Sequence, residues 1–313
     1  MRTWMKIAIC TAALLAAGAA GYVYYLYHAV EKTAAQMYQP LQAAKSELRT
    51  QKASVQKQQP ISVLLLGVDE RENDRGRSDA IILAAVNPAG GQTTLVNIPR
   101  DTRTKIADRG TVDKINHAYA FGGVDMAVKT AEQFFQVPID YYISVNMEGF
   151  EQVIDALGGV DVENEMSFSY EDHTFPQGPL HLDGSAALAY ARMRYDDPRG
   201  DLGRNSRQRQ IVKSMLKQVG RPDIVTKAKS VLDQLGRNVK TNVTFSEWKD
   251  MLQDYRFAFE QVNSIEMAGE GSIIDGIYYY IVDQDEQTRI QSELQNQLEL
   301  DKTPPPPPAG AIP

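Results

Sequence analysis

Three short apolar runs, Ile61–Leu66, Ala80–Val86 and Thr94–Ile98, are rich in Leu and β-branched residues, and turn chemistry bounds each of them. Runs this short and this continuous predict buried strands of an α/β sheet rather than helices. Asp125–Phe135 changes period: Met126, Val128, Ala131, Phe134 and Phe135 recur at helical spacing. A strand at Tyr141–Val145 follows, then a helix at Met147–Leu157 stopped by Gly158-Gly159, then a short strand at Val160–Val162. His173–Asp183 reads as a loop by composition, and Gly184–Ala191 as a small-residue helix. Beyond it the pattern predicts helices at Ile211–Val219, Ile224–Leu235, Phe245–Phe259 and Glu286–Leu298, with late strands at Ile265–Met267 and Ile277–Val282. The alternation predicts one α/β domain over residues 60–300, a mixed central sheet flanked by helices in three layers, α/β/α.

The ends of the chain carry other patterns. Ile7 to Tyr27 holds no charge and spans roughly 31 Å as a helix, the thickness of a bilayer core. Arg2 and Lys6 precede it, and Tyr22, Tyr24, Tyr25 and Tyr27 supply an aromatic belt. The expectation is a single-pass anchor within residues 1–30, with a cytoplasmic N-terminus and everything after it extracellular. A cleaved signal peptide ending near Ala17-Gly18-Ala19 is the competing reading, but the apolar run continues well past that point. Residues 31–59 are polar, rich in Ala, Gln and Lys and broken by Pro40, and read as a helical or partly helical stalk. Pro304–Pro308 opens an extended, Pro-rich tail over 301–313.

Composition narrows the chemistry. The 313 residues carry 33 Lys plus Arg against 40 Asp plus Glu, a net charge of −7 that opposes bulk nucleic-acid binding. The single cysteine, Cys10, lies in the first apolar run, and the four histidines have no ligand spacing, which disfavours a zinc or thiolate site. A metal, if present, is then a hard ion on carboxylates.

Charges gather at the strand ends, where an open α/β sheet places its chemistry. Asp69 follows the first strand, Arg77 and Asp79 enter the second, and Arg100, Asp101 and Arg103 leave the third. The densest cluster is ARMRYDDPRGDLGRNSRQRQ, where Arg192, Arg194, Arg199, Arg204, Arg207 and Arg209 mix with Asp196, Asp197 and Asp201. If extended, Arg192 and Arg194 share a face, whereas Arg204 and Gln208 share one if a helix begins near Gly203. Guanidinium forks match phosphate oxygens bidentately, and with an acidic pair they suit a diphosphate bridged by Mg²⁺. Residue types alone suit equally well a solvated helix start tied by Arg–Asp pairs. No GxxxxGK[ST], GxGxxG or GxSxG motif is present, so neither nucleotide-type phosphate binding nor a serine-hydrolase elbow is indicated.

The ordered motifs LLLGVD, RGRSDAIILAAVN, VNIPRDTR, KINHAYAFGG, IDALGGVDV, ALAYARMRY and GDLGRNSRQRQ, spread over Ile61 to Leu216, resemble the LytR–CpsA–Psr family. Members of that family attach secondary glycopolymers to peptidoglycan. The resemblance implies Mg²⁺ on Asp69 and Asp79. It implies a diphosphate held by Arg77, Arg100, Lys114, Arg192, Arg194, Arg204 and Gln208, with Arg100 catalytic and Asp201 placed as proton acceptor. It also implies the partners: a glycopolymer such as wall teichoic acid on a polyprenyl diphosphate carrier, and a peptidoglycan sugar hydroxyl as acceptor. A polyprenyl diphosphate hydrolase, with water as acceptor, would use the same residues. A membrane-bound transcriptional regulator is the reading from a different class, opposed by the acidic charge and the anchor orientation.

Overall fold

The structure, a computed structural model, describes residues 27–70, 76–219 and 238–300, together with Thr11, Ala17, Gly18, Gly21, Tyr24, Tyr25 and Gly236. Most of the Ile7–Tyr27 run, the expected Ile224–Leu235 helix and the 301–313 tail lie outside these residues. Among the described residues no helix is long and apolar enough to cross a membrane.

A six-stranded sheet organises the domain. The three runs picked out by hydrophobicity become β1 (Ile61–Val68), β2 (Ser78–Asn87) and β3 (Gln92–Asn97), and each is buried along most of its length. They form an antiparallel meander, β1 with β2 and β2 with β3. Two short strands at the site edge, β4 (Arg103–Lys105) and β5 (Val112–Lys114), pair with each other and lead into helix α1 (His117–Phe135). Strand β6 (Tyr141–Asn146) returns parallel to β1, and helix α2 (Met147–Leu157) follows with Asn146 as its N-cap. The main sheet is completed further along the chain by β11 (Val239–Thr241) beside β6 and β12 (Gln261–Ile265) parallel to β3. Its order, β11-β6-β1-β2-β3-β12, mixes parallel and antiparallel pairs, as the alternating pattern predicts.

Both faces of the sheet are covered, giving the expected α/β/α layering. One face carries Leu64, Leu66, Val68, Ile81, Leu83 and Val96 against α1 and the final helix, α6 (Gln284–Gln297). The other carries Ile61, Ile82, Ala84 and Tyr141 under the long helix α4 (Asp201–Val219) and α5 (Phe245–Asp254). A side cluster joins α2 to α3 (Gly184–Arg192) and to the ladder of β7 (Val160–Asn164) with β10 (Gly178–Leu182).

Several boundaries differ from the sequence reading; α1 begins at His117 rather than Asp125, and α4 at Asp201 rather than Ile211. The expected loop His173–Asp183 contains β9 (His173–Phe175), paired with β8 (Phe168–Tyr170), and then β10. Its Pro179 sits in a two-stranded ladder, where a missing N–H is tolerated. The helix expected to run to Phe259 ends at Asp254, and Arg256–Phe259 tightens into a 3₁₀ turn. The late strand set at Ile265–Met267 lies earlier, at Gln261–Ile265. An unforeseen hairpin, β13 (Glu270–Ile274) with β14 (Ile277–Ile281), turns at Asp275-Gly276, both at positive φ.

The segment read as a helical or partly helical stalk is helical through residue 37. Residues 38–59 then pack on the domain. Tyr38 bridges Thr241 at the sheet edge, and Arg49 Nε meets the buried Asp140 carboxylate at 2.6 Å. Pro40 lacks an N–H and so breaks the helical ladder there.

Candidate functional site

The charged cluster forms where one end of the β1–β2 pair, the loop after β3 and the start of α4 meet. Its geometry begins with a β-bulge. Gly67 pairs with Ala80 but Val68 pairs with Ser78, so Asp79 is an extra residue in β2 and its side chain is re-aimed out of the ladder. At the same end of the pair the Asp69 N–H donates to the Arg77 carbonyl at 3.0 Å. Gly76 has φ +68, and a Cβ there would collide with the Asp69 carbonyl, so only glycine closes this turn.

The loop after β3 is folded by its own turn and by its neighbours. Thr102 donates from both N–H and Oγ1 to the Pro99 carbonyl. Ile115 and Asn116 donate their N–H groups to the carbonyls of Thr102 and Arg100. This stitching brings the motif of Arg100 and Asp101 beside that of Lys114 and Asn116. Arg100 Nη1 donates to Asp79 Oδ2 at 2.9 Å, Lys114 Nζ meets Asp101 Oδ1 at 2.8 Å, and Asn116 Nδ2 reaches Asp79 Oδ1 at 3.4 Å.

Helix α4 supplies the third side. Asp201 lies in its first turn, where a carboxylate complements the helix dipole. Around Asp201 Oδ1 stand Arg204 Nη2 at 2.7 Å, Arg194 Nε at 3.8 Å and Arg100 Nε at 4.0 Å. Both Asp201 oxygens, Arg204 Nε and Nη2, Arg100 Nε and Gln208 Oε1 are buried without a hydrogen bond of acceptable geometry. The charges touch, yet their hydrogen-bonding capacity is not consumed by one another. Burial alone would lower the Arg100 guanidinium, but Asp79, Asp201 and Asp101 outweigh it and hold it above its ordinary value. Arg204 moves the other way, lowered by deep burial with Arg100 and Arg194 adding repulsion against Asp201.

Most of the residues singled out from sequence therefore come together. Asp79, Arg100, Lys114, Arg194, Asp201 and Arg204 form the cluster, and Gln208 stands one turn along α4 from Arg204. Asp69 and Arg77 lie at the adjoining end of the β1–β2 pair, with Arg77 exposed.

Arg192 is placed elsewhere. Helix α3 extends through Arg192, so the extended segment that would align it with Arg194 does not form. Its guanidinium instead pairs with Glu171 at 2.9 Å. Arg207 holds the intervening loop: it pairs with the buried Asp197 at 2.6 Å and donates to the Tyr190 and Met193 carbonyls. Sequence reasoning assigned no site role to Asp101 or Asn116. The motifs PRD and KIN contain both, but only the folded loops show that they meet.

Among the described residues no group of three His, Cys, Asp or Glu side chains could hold a metal ion. Mg²⁺ commonly takes only one or two carboxylates and completes its shell with phosphate oxygens and water. The hard oxygen donors of Asp69 and Asp79, at the same end of the central β1–β2 pair beside phosphate-matching guanidiniums, fit that requirement. A separate polar recess, lined by Gln39, Glu70, Tyr119, Asp125, Ser144 and Lys240, shares none of the cluster's side chains.

Apolar surface begins where the charges end. Along α4, Arg204, Gln208, Val212 and Leu216 follow one another at four-residue spacing, polar first and apolar after. Val212 and Leu216 are half-buried on the core cluster of this face, and Val63 and Leu65 of β1, half-buried on the same cluster, face the α4 side of the sheet. Ile143 and Val145 of β6 lie alongside, opposite Leu65 and Gly67, and are half-buried too. Leu64 and Leu66, on the other face of β1, are fully covered.

Comparison with known proteins places this arrangement. The sequence profile of the LytR_cpsA_psr family matches residues 24–296. The polyisoprenyl-teichoic acid–peptidoglycan teichoic acid transferase TagU of Halalkalibacterium halodurans is 47% identical over 283 residues, 90% of this chain and 93% of that protein. The crystal structure of Bacillus subtilis TagU superposes with a TM-score of 0.62 at 42% identity, covering 77% of this chain and 97% of that one. A structure of TagT bound to LIIa-WTA superposes with a TM-score of 0.72 at 29% identity, covering 84% and 100%. The chain is a member of the LytR–CpsA–Psr family.

Proposed function

We propose that this protein transfers a phosphoglycopolymer, such as wall teichoic acid, from a polyprenyl diphosphate carrier to a sugar hydroxyl of peptidoglycan. The observation that carries the reading is the junction on α4, where the charged cluster passes directly into a half-covered apolar strip. A polyprenyl diphosphate has the same order, an anionic head on a greasy chain. The names of the TagU relatives support the reaction class.

In this reading Arg100, Arg194, Arg204 and Lys114 bind the diphosphate, with Gln208 and Arg77 at its margins. The buried, unconsumed donors of Arg100 and Arg204 neutralise charge on the phosphoryl oxygens without having to reorganise. Asp69 and Asp79 would hold Mg²⁺, which when bound would supply charge neutralisation to the phosphate oxygens. The acceptor oxygen forms a bond to the sugar-side phosphorus, and the bond from that phosphorus to the bridging oxygen breaks. Polyprenyl phosphate leaves with the bonding pair. Asp201, at the centre of the arginines, takes the hydroxyl proton. The Ile7–Tyr27 run would anchor the chain in the membrane with this domain outside, next to both lipid donor and wall acceptor.

The test uses the full chain in detergent with a polyprenyl-diphosphate-linked glycan and peptidoglycan fragments. Formation of the phosphodiester with release of polyprenyl phosphate, lost on chelation of Mg²⁺, is expected. Release of polyprenyl phosphate at the same rate without any acceptor would replace transfer by hydrolysis.

A further inference from the structure

The hairpin of β13 and β14 is fastened to the charged cluster. Tyr280 donates its N–H to the Asp101 carbonyl at 2.9 Å, and Thr102 bridges Tyr280. Lys114 and Arg103 both lie over the Tyr279 ring. Two residues before Tyr280 on the same strand face, Tyr278 lies diagonally across Gly271. A Cβ added there would come within 2.8 Å of Tyr278 Cε2 and 2.9 Å of its hydroxyl. Glycine therefore provides a flat floor for the ring. Tyr278 nevertheless remains 42% exposed, and its neighbours Ile273 and Ile277 are exposed as well. Partial burial and the charges of Asp101 and Asp201 outweigh Arg194 and push its phenol above the ordinary value.

A pre-ordered, uncharged aromatic ring with open surface beside an anion-binding cluster suits a pyranose, whose C–H face packs on aromatic carbon while its hydroxyls stay solvated. The apolar strip along α4 takes the lipid in the proposed function, and the hairpin hangs instead from the Asp101 side of the cluster. We infer that Tyr278 is a sugar-stacking platform, contacting the pyranose that sits next to the reacting phosphate. This inference rests on the proposed transferase reading and adds a saccharide contact to it.

Binding is measured with the full chain and two probes, a short polyprenyl diphosphate and the same carrier bearing one hexose. Tyr278→Ala is expected to weaken the hexose-bearing probe about three- to tenfold and leave the bare carrier unchanged, while Tyr278→Phe restores binding. If the pyranose belongs instead to the acceptor, both probes bind normally and the KM for peptidoglycan fragments rises by the same factor. Unchanged probe binding together with unchanged KM overturns the inference, as does equal weakening of both probes, which would make the hairpin a lipid contact. Failure of the wild-type chain to bind the bare carrier would overturn the proposed function and this inference with it.

Discussion

Arg100→Ala separates a binding machine from a structural ion pair. Arg100 makes one charge-assisted hydrogen bond, to Asp79, whose side chain is 37% exposed. Water can replace the lost partner there, so the structural cost is at most about 1 kcal/mol. For a domain of this size that lowers Tm by about 2–4 °C. The functional cost is larger. Arg100 Nε is buried without a hydrogen bond, 4.0 Å from Asp201, where an oxygen-rich ligand would meet it. Removing one preorganised donor of this kind costs about 10²–10³ in kcat, roughly 2.7–4 kcal/mol. Arg100→Lys keeps the charge but loses the fork, and its rate should fall between the two. The assay follows polyprenyl phosphate release alongside thermal unfolding. A rate within about threefold of wild type would refute the reasoning, and so would a loss of activity matched by a collapse in Tm.

Four other outcomes follow from the same geometry. Gly76→Ala forces a side chain against the Asp69 carbonyl at positive φ, so transfer should fall while far-UV circular dichroism stays native. Arg192→Ala removes only an exposed pair with Glu171 and should leave kcat within about twofold, whereas Arg194→Ala should lower it at least tenfold; the two rates measured side by side decide this. Arg207→Ala leaves the buried Asp197 with only the Arg199 N–H at 2.8 Å and the Arg199 guanidinium at 3.5 Å, and urea unfolding should report a loss of up to about 3 kcal/mol. Burial alone would raise the Asp197 carboxyl, but the Arg199 N–H and Arg207 outweigh it and hold it below the ordinary value. The stability this supplies is present above the unfolded pKa of about 4 and is lost as pH falls through the lower folded value, a loss Arg207→Ala should blunt in acid titrations.

The packing of residues 38–59 changes what a spacer can do. A free polar stalk would let the domain tumble, but Arg49 is fixed to Asp140, which also accepts from the Ser62 N–H at the start of β1. The Gln39 carbonyl accepts from the Tyr142 hydroxyl within the sheet's own edge. Sequence could not show this, because the segment is polar and its partners lie about a hundred residues away. Fixed in this way, the segment would transmit the orientation of the proposed anchor to the sheet.

The legible parts of the fold were those whose physics is local. Strands β1 to β3 are covered on both faces, so their apolar runs are continuous and need no partner to be recognised. The β13–β14 hairpin was also within reach: Asp275-Gly276 between apolar runs is a strong turn signal, and β14 alone was read. The site was legible as charges at strand ends, but its selection was not. Period-two counting sends Asp79 and Ala80 to opposite faces, and only the bulge beside Gly67 frees Asp79 to reach Arg100. Counting likewise paired Arg192 with Arg194, until one more helical residue turned Arg192 toward Glu171. In both places a single residue of register separates a side chain in the charged cluster from a surface one, and pairing with distant segments, absent from any local window, sets that register.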